Sequence, residues 1–237
     1  MKAIILAAGL GTRLGKLTAD KPKALIEVNG KTMLETVIQN LKQQGINKFL
    51  INIHHHGQSI ISYLNENDNF GVNITISDER EQLLDTGGAI LKASDFIKGD
   101  EPVLVHNVDI VSTIDIQELL EYHKGSNSVA TLCIRKRKSG RGLLFNNAMQ
   151  LTGWTNVDLH EFKWVNDNHD DYNMYAYSGI YMIAQEFTDL ITQTGKFSII
   201  DTWLEIAKTN KISGYIDKSA TWHDLGTIEK INIAESE

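Results

Sequence analysis

The chain is 237 residues long, 42% apolar and 22% charged, with a net charge of −7. That length suits one large α/β domain or two small ones, and the acidic balance argues against a general nucleic-acid surface, which needs a basic face. The single cysteine, Cys133, excludes an internal disulfide framework and a cysteine-based metal cluster, and no run approaches the roughly 18 apolar residues of a membrane span. The apolar N-terminal run is too short for a signal-peptide core, so a cytoplasmic protein with no membrane partner is expected.

Residues 1–7, rich in Ile and Leu, read as a buried strand of a parallel sheet. Gly9 and Gly11 follow at once, letting the backbone turn sharply and approach a ligand closely. Successive N–H groups in such a turn form a concavity suited to phosphate oxygens. Arg13, Lys21 and Lys23 lie in the same loop, and Pro22 stiffens the chain between the two lysines. Without an anion these cations would crowd one another, so the loop reads as a polyphosphate site. It is not a dinucleotide fingerprint, which needs glycine where Leu14 stands, and no Gly-Lys-Ser/Thr closes it as a P-loop.

Residues 24–28 read as a short extended stretch before the Asn29-Gly30 turn. Thr32 is placed to cap a helix over 33–44, with Glu35 as its capping-box partner and Gly45 at its end. Strands are predicted over 48–54, 72–77 and 102–106, with helices over 57–67 and from Ala89 to about Phe96. Asp85 or Thr86 is a plausible cap for the latter helix. This βαβα order with short connections predicts a doubly wound, mostly parallel sheet whose ligands lie beyond the strands' carboxyl ends. The second half is less regular. Helices are predicted over 114–123, 187–194, 199–210 and from Ile228. Strands are predicted over 128–135, 174–183 and 212–216, with a hairpin formed by 142–145 and 149–154 around Asn146-Asn147. The polar stretch 158–171 carries no clear assignment. His54-His55-His56 point in different directions and read as a polar turn at the cleft rim, and Cys133 reads as a buried small hydrophobe.

The stretch from Leu6 through Ala8, Gly9, Gly11, Thr12 and Arg13 to Leu14, followed by Lys21-Pro22-Lys23, resembles the signature of the sugar-phosphate nucleotidyltransferases. Members of that family join a sugar 1-phosphate to a nucleoside triphosphate and release pyrophosphate. The resemblance implies an α/β, Rossmann-like and glycosyltransferase-A-like fold: a doubly wound, mostly parallel mixed sheet flanked by helices. One domain over 1–237 is expected, residues 1–110 binding the nucleotide and 111–237 the sugar phosphate. By resemblance Arg13, Lys23 and Asp109 are catalytic, Arg13 on the pyrophosphate side and Lys23 towards the α-phosphate. Lys21 is as readily solvated. Asp109 and Asp224 are the expected Mg²⁺ ligands, although Val108 stands where the family often shows glycine. Nucleotide contacts are expected from Leu6, Ala8, Gly9, Gly11, Thr12, Arg13 and Lys23, and from Thr86, Gly87 and Gly88, whose main chain would approach the base. Glu79 or Glu81 is either a further nucleotide contact or surface charge.

On the sugar side, Tyr177-Ser178-Gly179 resembles the strand whose glycine packs on the hexose, and Lys163 of Glu161-Phe162-Lys163, in the region of a family Glu-Lys-Pro triplet that here lacks its proline, is by resemblance the candidate to bind the sugar phosphate. Trp154 and Trp222 are further candidates near the cleft. The Leu84-Asp85-Thr86-Gly87-Gly88 segment looks most like the N-acetylmuramate 1-phosphate uridylyltransferases of cell-wall recycling, with mannose 1-phosphate guanylyltransferases close behind. The chain stops soon after Trp222-His223-Asp224-Leu225-Gly226-Thr227, so the β-helix domain of longer bifunctional members is not expected. The expected partners are a nucleoside triphosphate, UTP favoured, and a sugar 1-phosphate, on a monomer or small homo-oligomer. Two alternatives stand. In one, a phosphocholine-type cytidylyltransferase uses Trp154, Trp164, Tyr175 and Tyr177 as a choline cage. In the other, a silent regulatory protein binds nucleotide sugars without turnover.

Overall fold

The computed structural model describes residues 1–167 and 171–236. Three residues of the unassigned stretch, 168–170, lie outside that description. In chain order the strands are β1 (Lys2–Leu6), β2 (Glu27–Val28), β3 (Lys31–Thr32), β4 (Lys48–Ile53), β5 (Asn73–Asp78), β6 (Val103–Asn107), β7 (Ile110–Ser112), β8 (Ala130–Arg135), β9 (Arg141–Phe145), β10 (Leu151–Asn156), β11 (Glu161–Trp164), β12 (Asn173–Ile183), β13 (Ile212–Ile216) and β14 (Trp222–Asp224). The helices are α1 (Met33–Gln43), α2 (Gly57–Glu66), α3 (Asp85–Lys92), α4 (Ser94–Ile97), α5 (Ile116–Ser126), α6 (Ile199–Ala207) and α7 (Ile228–Ser236).

Ten strands form one mixed sheet, in the order β11-β10-β9-β12-β6-β1-β4-β5, with β8 on β12 and β13 on β8. The β6-β1-β4-β5 part is parallel. The long β12 runs antiparallel to β6, β8 and β9, and so joins the second half of the chain to the first. Alternation along the strands divides the core in two. Ala3, Ile5, Phe49, Ile51 and Leu104 pack under α1, α2 and α5, whereas Ile4, Leu50, Val103 and Val105 pack under α3, α4 and α6. Each fully buried Ile or Phe contributes about 1.5–3 kcal/mol, which makes both faces indispensable.

Local chemistry explains most boundaries. Thr32 accepts a hydrogen bond from the Glu35 N–H at 3.0 Å, so it caps α1 as expected. The reciprocal half of the capping box is absent: the Glu35 carboxylate accepts from the Tyr63 hydroxyl at 2.9 Å instead. Asn29 and Gly30 both have positive φ, 52° and 75°, the pattern of a tight hairpin between β2 and β3. The expected hairpin of β9 and β10 forms, with Asn146 Oδ1 accepting from the Ala148 and Gln150 N–H groups.

Several expectations need correction. Lys23–Leu25 is a 3₁₀ turn, so only the end of the 24–28 stretch is strand. The helix expected from Ala89 starts at Asp85 and breaks at Ala93. Residues 187–194 are not an α-helix; a 3₁₀ turn spans Gln185–Leu190. Within 158–171 lies an edge strand, β11, antiparallel to β10. Cys133 is buried in β8, where burial pushes its thiol pKa up.

Candidate active site

The carboxyl ends of β1, β4, β5 and β6 converge on a cleft of about 430 Å³. Leu6, Ala8, Gly9, Gly11, Thr12, Arg13, Lys23, Thr86 and Asp109 line it. A buried polar chain shapes its floor. Asn52, at the end of β4, accepts from the Ala7 N–H at 2.7 Å and the Ala8 N–H at 3.3 Å. Its amide donates to Glu79 at 2.9 Å, and the other Glu79 oxygen accepts from the Leu84 N–H at 3.1 Å. Glu79 is only 1% exposed, so it is not surface charge but a brace between the strand ends. Glu81 is exposed and does not line the cleft. Asn52 stands out in neither composition nor motif; its position at a strand end beside a glycine loop was the only available signal.

The two loop glycines serve different needs. Gly11 has a φ of +65°, and a Cβ there would lie 2.8 Å from the Thr18 methyl. A Cβ at Gly9 would meet no atom within 4 Å, so the space above it is open to a ligand. Lys23 is buried, and its ammonium is paired with Asp109. Lys21 is exposed and outside the cleft lining.

Asp109 sits between β6 and β7. Its carbonyl accepts from the Leu225 N–H at 2.8 Å, and β14 pairs with β7 so that Asp224 lies opposite Ile110. The turn bearing Asp109 and the strand bearing Asp224 therefore lie side by side. Asp224 accepts from the Gly226 N–H at 2.9 Å and pairs with Lys230. Burial works to raise the Asp224 pKa, but Lys230, the Gly226 N–H and Lys23 outweigh it and hold the carboxyl below its usual range. A Cβ at Gly226 would lie 3.0 Å from an Arg13 guanidinium nitrogen, so Arg13 reaches the same point. Among the described residues no group of three or more His, Cys, Asp or Glu is arranged around a metal. Asp109 in the cleft lining and Asp224 beside it, two residues from the lining residue Gly226, offer carboxylates that suit a hard cation taking its remaining oxygens from substrate and water, as Mg²⁺ does. His106, beside this site in β6, is kept neutral by burial, which lowers its pKa to about 4 against the opposing pull of the Asn107 carbonyl and Asp109.

Gly87 and Gly88 do not line the cleft; both are buried behind it. Their N–H groups point to the Phe197 carbonyl at 3.0 and 3.4 Å, and a Cβ at either would collide with Phe197 or the Gly195 carbonyl. Their missing side chains admit the 195–197 turn rather than exposing main chain to a ligand. That turn carries Lys196 into the cleft lining, a contribution the residue pattern did not signal. Neither Asp85 nor Thr86 caps its own helix. Asp85 Oδ1 accepts from the next N–H, and Thr86 accepts from the Ile199 N–H at 3.0 Å, tying α3 to α6.

On the second-half side, Gly179 has a φ of +80° within a bulge of β12, and a Cβ there would collide with Ile110. Its role on view is to pack β12 against the strand after Asp109. Lys163 is paired with Asp201 at 2.8 Å and lies 5.4 Å from the Trp154 ring centre. Trp154 and Lys163 share one sheet face, whereas Trp164, paired with Gly153, lies on the other and stacks on Phe162. The four aromatics named for a choline cage therefore do not converge. Tyr175 has the Lys136 ammonium 6.0 Å from its ring centre, so lysines already take two of those faces. His54 contacts the Glu79 carbonyl at 2.7 Å, and the His55 and His56 rings lie 4.0 Å apart.

Comparison with known proteins agrees with this geometry. The nucleotidyl transferase family matches residues 2–144. An N-acetylmuramate alpha-1-phosphate uridylyltransferase of Caulobacter vibrioides is 40% identical over 237 aligned positions, covering 94% of this chain and 91% of that protein. A mannose-1-phosphate guanyltransferase of Yarrowia lipolytica is 29% identical over 95% of this chain, which spans only 61% of that relative's length. Among solved structures, a putative glucose-1-phosphate thymidylyltransferase of Bacillus anthracis superposes with a TM-score of 0.81 at 22% identity, covering 100% of this chain and 94% of that one. HddC of Yersinia pseudotuberculosis, complexed with GMP-PN, does so at 0.77 and 20% identity, covering 99% and 98% of the two chains. With a mixed sheet flanked by helices, a glycine-turn cleft and a family match over more than half its length, the chain belongs to the nucleotidyl transferase family.

Proposed function

We propose that the protein transfers a nucleoside monophosphate from a nucleoside triphosphate to a sugar 1-phosphate and releases pyrophosphate. The observation that carries this reading is one cleft uniting the Gly9–Gly11 turn, Arg13, Lys23 and Asp109, with Asp224 two residues from its lining residue Gly226. In the proposed reaction a sugar phosphate oxygen attacks the α-phosphorus in line and the bond to the pyrophosphate breaks. Both partners are anionic, so catalysis is alignment and charge neutralisation. The glycine turn offers N–H groups to the phosphates and Arg13 holds the leaving pyrophosphate. Lys23 exchanges Asp109 for the α-phosphate as charge develops. Asp109 and Asp224 would hold Mg²⁺, which when bound neutralises phosphate oxygens. Thr86 and Lys196 flank the nucleoside end of the cleft. The two halves, 1–110 and 111–237, act as one domain in this reading.

UTP is favoured as donor. Support comes from the Leu84–Gly88 segment and from the Caulobacter relative, a uridylyltransferase aligned over nearly its whole length. Lysines on the Trp154 and Tyr175 rings weigh against a choline acceptor, because a quaternary ammonium would meet like charge there. No helix is long and apolar enough to cross a membrane among the described residues, and a cytoplasmic site of action is part of the proposal. The test is pyrophosphate release with Mg²⁺ across four nucleoside triphosphates and a panel of sugar 1-phosphates plus phosphocholine. Release with one nucleotide–sugar pair, abolished by chelation, is expected. Release with phosphocholine alone would overturn the sugar assignment, and silence across the grid would overturn the reaction.

A further inference from the structure

An in-line transfer between two anions needs positive charge on both sides of the reacting phosphorus. Arg13 supplies it at Gly226, two residues after Asp224. In the second half of the chain, four cations are committed to carboxylates among the described residues. Lys163 is paired with Asp201 at 2.8 Å, and Arg135 with Asp217 at 2.9 Å. Arg137 differs. Among the described residues no carboxylate lies within ion-pair reach of it, and its hydrogen bonds go to carbonyls, that of Tyr177 at 3.2 Å and that of Lys138 at 3.4 Å.

The arginine is nevertheless held. Its guanidinium carbon lies 4.5 Å from the Trp222 ring centre. Trp222 is two residues before Asp224 on β14, and its indole N–H donates to the Ser178 carbonyl at 2.9 Å. The bulge of β12 lies here: Tyr177 pairs with Ile134 while Tyr181 pairs with Leu132, so residues 178–180 stand against Cys133 alone. Arg137 and Trp222 thus bond the Tyr177 and Ser178 carbonyls, at the bulge next to Gly179. Burial lowers the Arg137 pKa, against the pull of the Asp224 charge and with a further push from the neighbouring Arg135. An arginine has five N–H donors in a planar fork, and most remain available here for a phosphate.

We propose that Arg137 binds the phosphate of the incoming sugar 1-phosphate, on the side of Asp224 opposite Arg13. This rests on the nucleotidyl-transfer reading above and replaces Lys163 as the acceptor-phosphate cation. The test takes the full chain and whichever nucleotide–sugar pair releases pyrophosphate in the grid, and measures KM for each substrate in Arg137→Met and Arg137→Lys. A charge-assisted bidentate contact predicts a rise of about tenfold or more in KM for the sugar 1-phosphate in Arg137→Met. The nucleotide KM should stay within about twofold. Arg137→Lys keeps the charge and loses the fork, and should fall between. An unchanged sugar-phosphate KM in both variants overturns the proposal. A parallel rise in both KM values also overturns it, because it makes Arg137 a brace for the Tyr177 carbonyl. A wild-type chain silent in the grid removes the underlying reaction itself, an outcome distinct from a working enzyme indifferent to Arg137.

Discussion

Asp109 carries two duties, holding Lys23 and facing the cleft. Asp109→Asn removes the charge with little change of shape. Turnover in the pyrophosphate-release assay should fall by at least about 100-fold, as when a group stabilising developing charge is lost. The thermal midpoint should shift by only a few degrees, because an amide oxygen still accepts from Lys23. Near-normal turnover in a folded variant would remove Asp109 from the mechanism. Asn52 offers the complementary case. Asn52→Leu keeps the volume but strands the Ala7 and Ala8 N–H groups and one Glu79 oxygen. Leaving such groups unsatisfied costs about 1–3 kcal/mol each, so urea unfolding should show a loss of that order and the nucleotide KM should rise. Retained stability would mean water replaces the amide. The two residues also mark what a sequence yields at this scale. Asp109 follows an apolar strand downstream of a phosphate loop and is legible. Asn52 acts through partners 27, 44 and 45 positions away, and no local pattern encodes such pairings.

Among the elements, strands and helices with strong periodicity were legible. α1 begins at its Thr32 cap, and β1, β4 and β6 begin and end within a residue or two of expectation. The weaker elements were decided by tertiary contacts. Among the described residues β11 has only β10 beside it, and its aromatic residues stack on one another. The Gly87-Gly88 pair was visible as a motif, yet its physical use was not, because the turn that needs the space lies more than a hundred residues later. Gly88→Ala tests that use. Its Cβ would strike the Gly195 carbonyl, a backbone atom that cannot swing aside. Overpacking of this kind costs about 1–3 kcal/mol. The midpoint of urea unfolding should fall accordingly, and the nucleotide KM should rise as Lys196 is displaced. Unchanged stability with a raised nucleotide KM would instead favour direct contact between this glycine and the base.

At the scale of the whole molecule, stability depends on two buried imidazoles that burial holds neutral. His106 lies in β6 at the centre of the sheet, and His123 on α5 faces Thr131 of β8 at 2.8 Å. Burial lowers both pKa values to about 4, from an ordinary 6.5. Between those values the unfolded chain binds more protons than the folded one, so stability rises with pH through the window. The contribution is whole above pH 6.5, is lost as the pH falls towards 4, and is gone below it. Asp224, held below its usual range, works in the same direction further down. The thermal midpoint of the protein should therefore fall steadily from pH 7 to pH 4, more steeply than exposed carboxylates alone would cause. His123→Asn retains a partner for the Thr131 hydroxyl without a titrating ring. Its midpoint should be lower at pH 7 and should decline less on acidification. An undiminished slope in that variant would mean that His123 accepts its proton inside the folded protein, and that α5 yields locally before the sheet does.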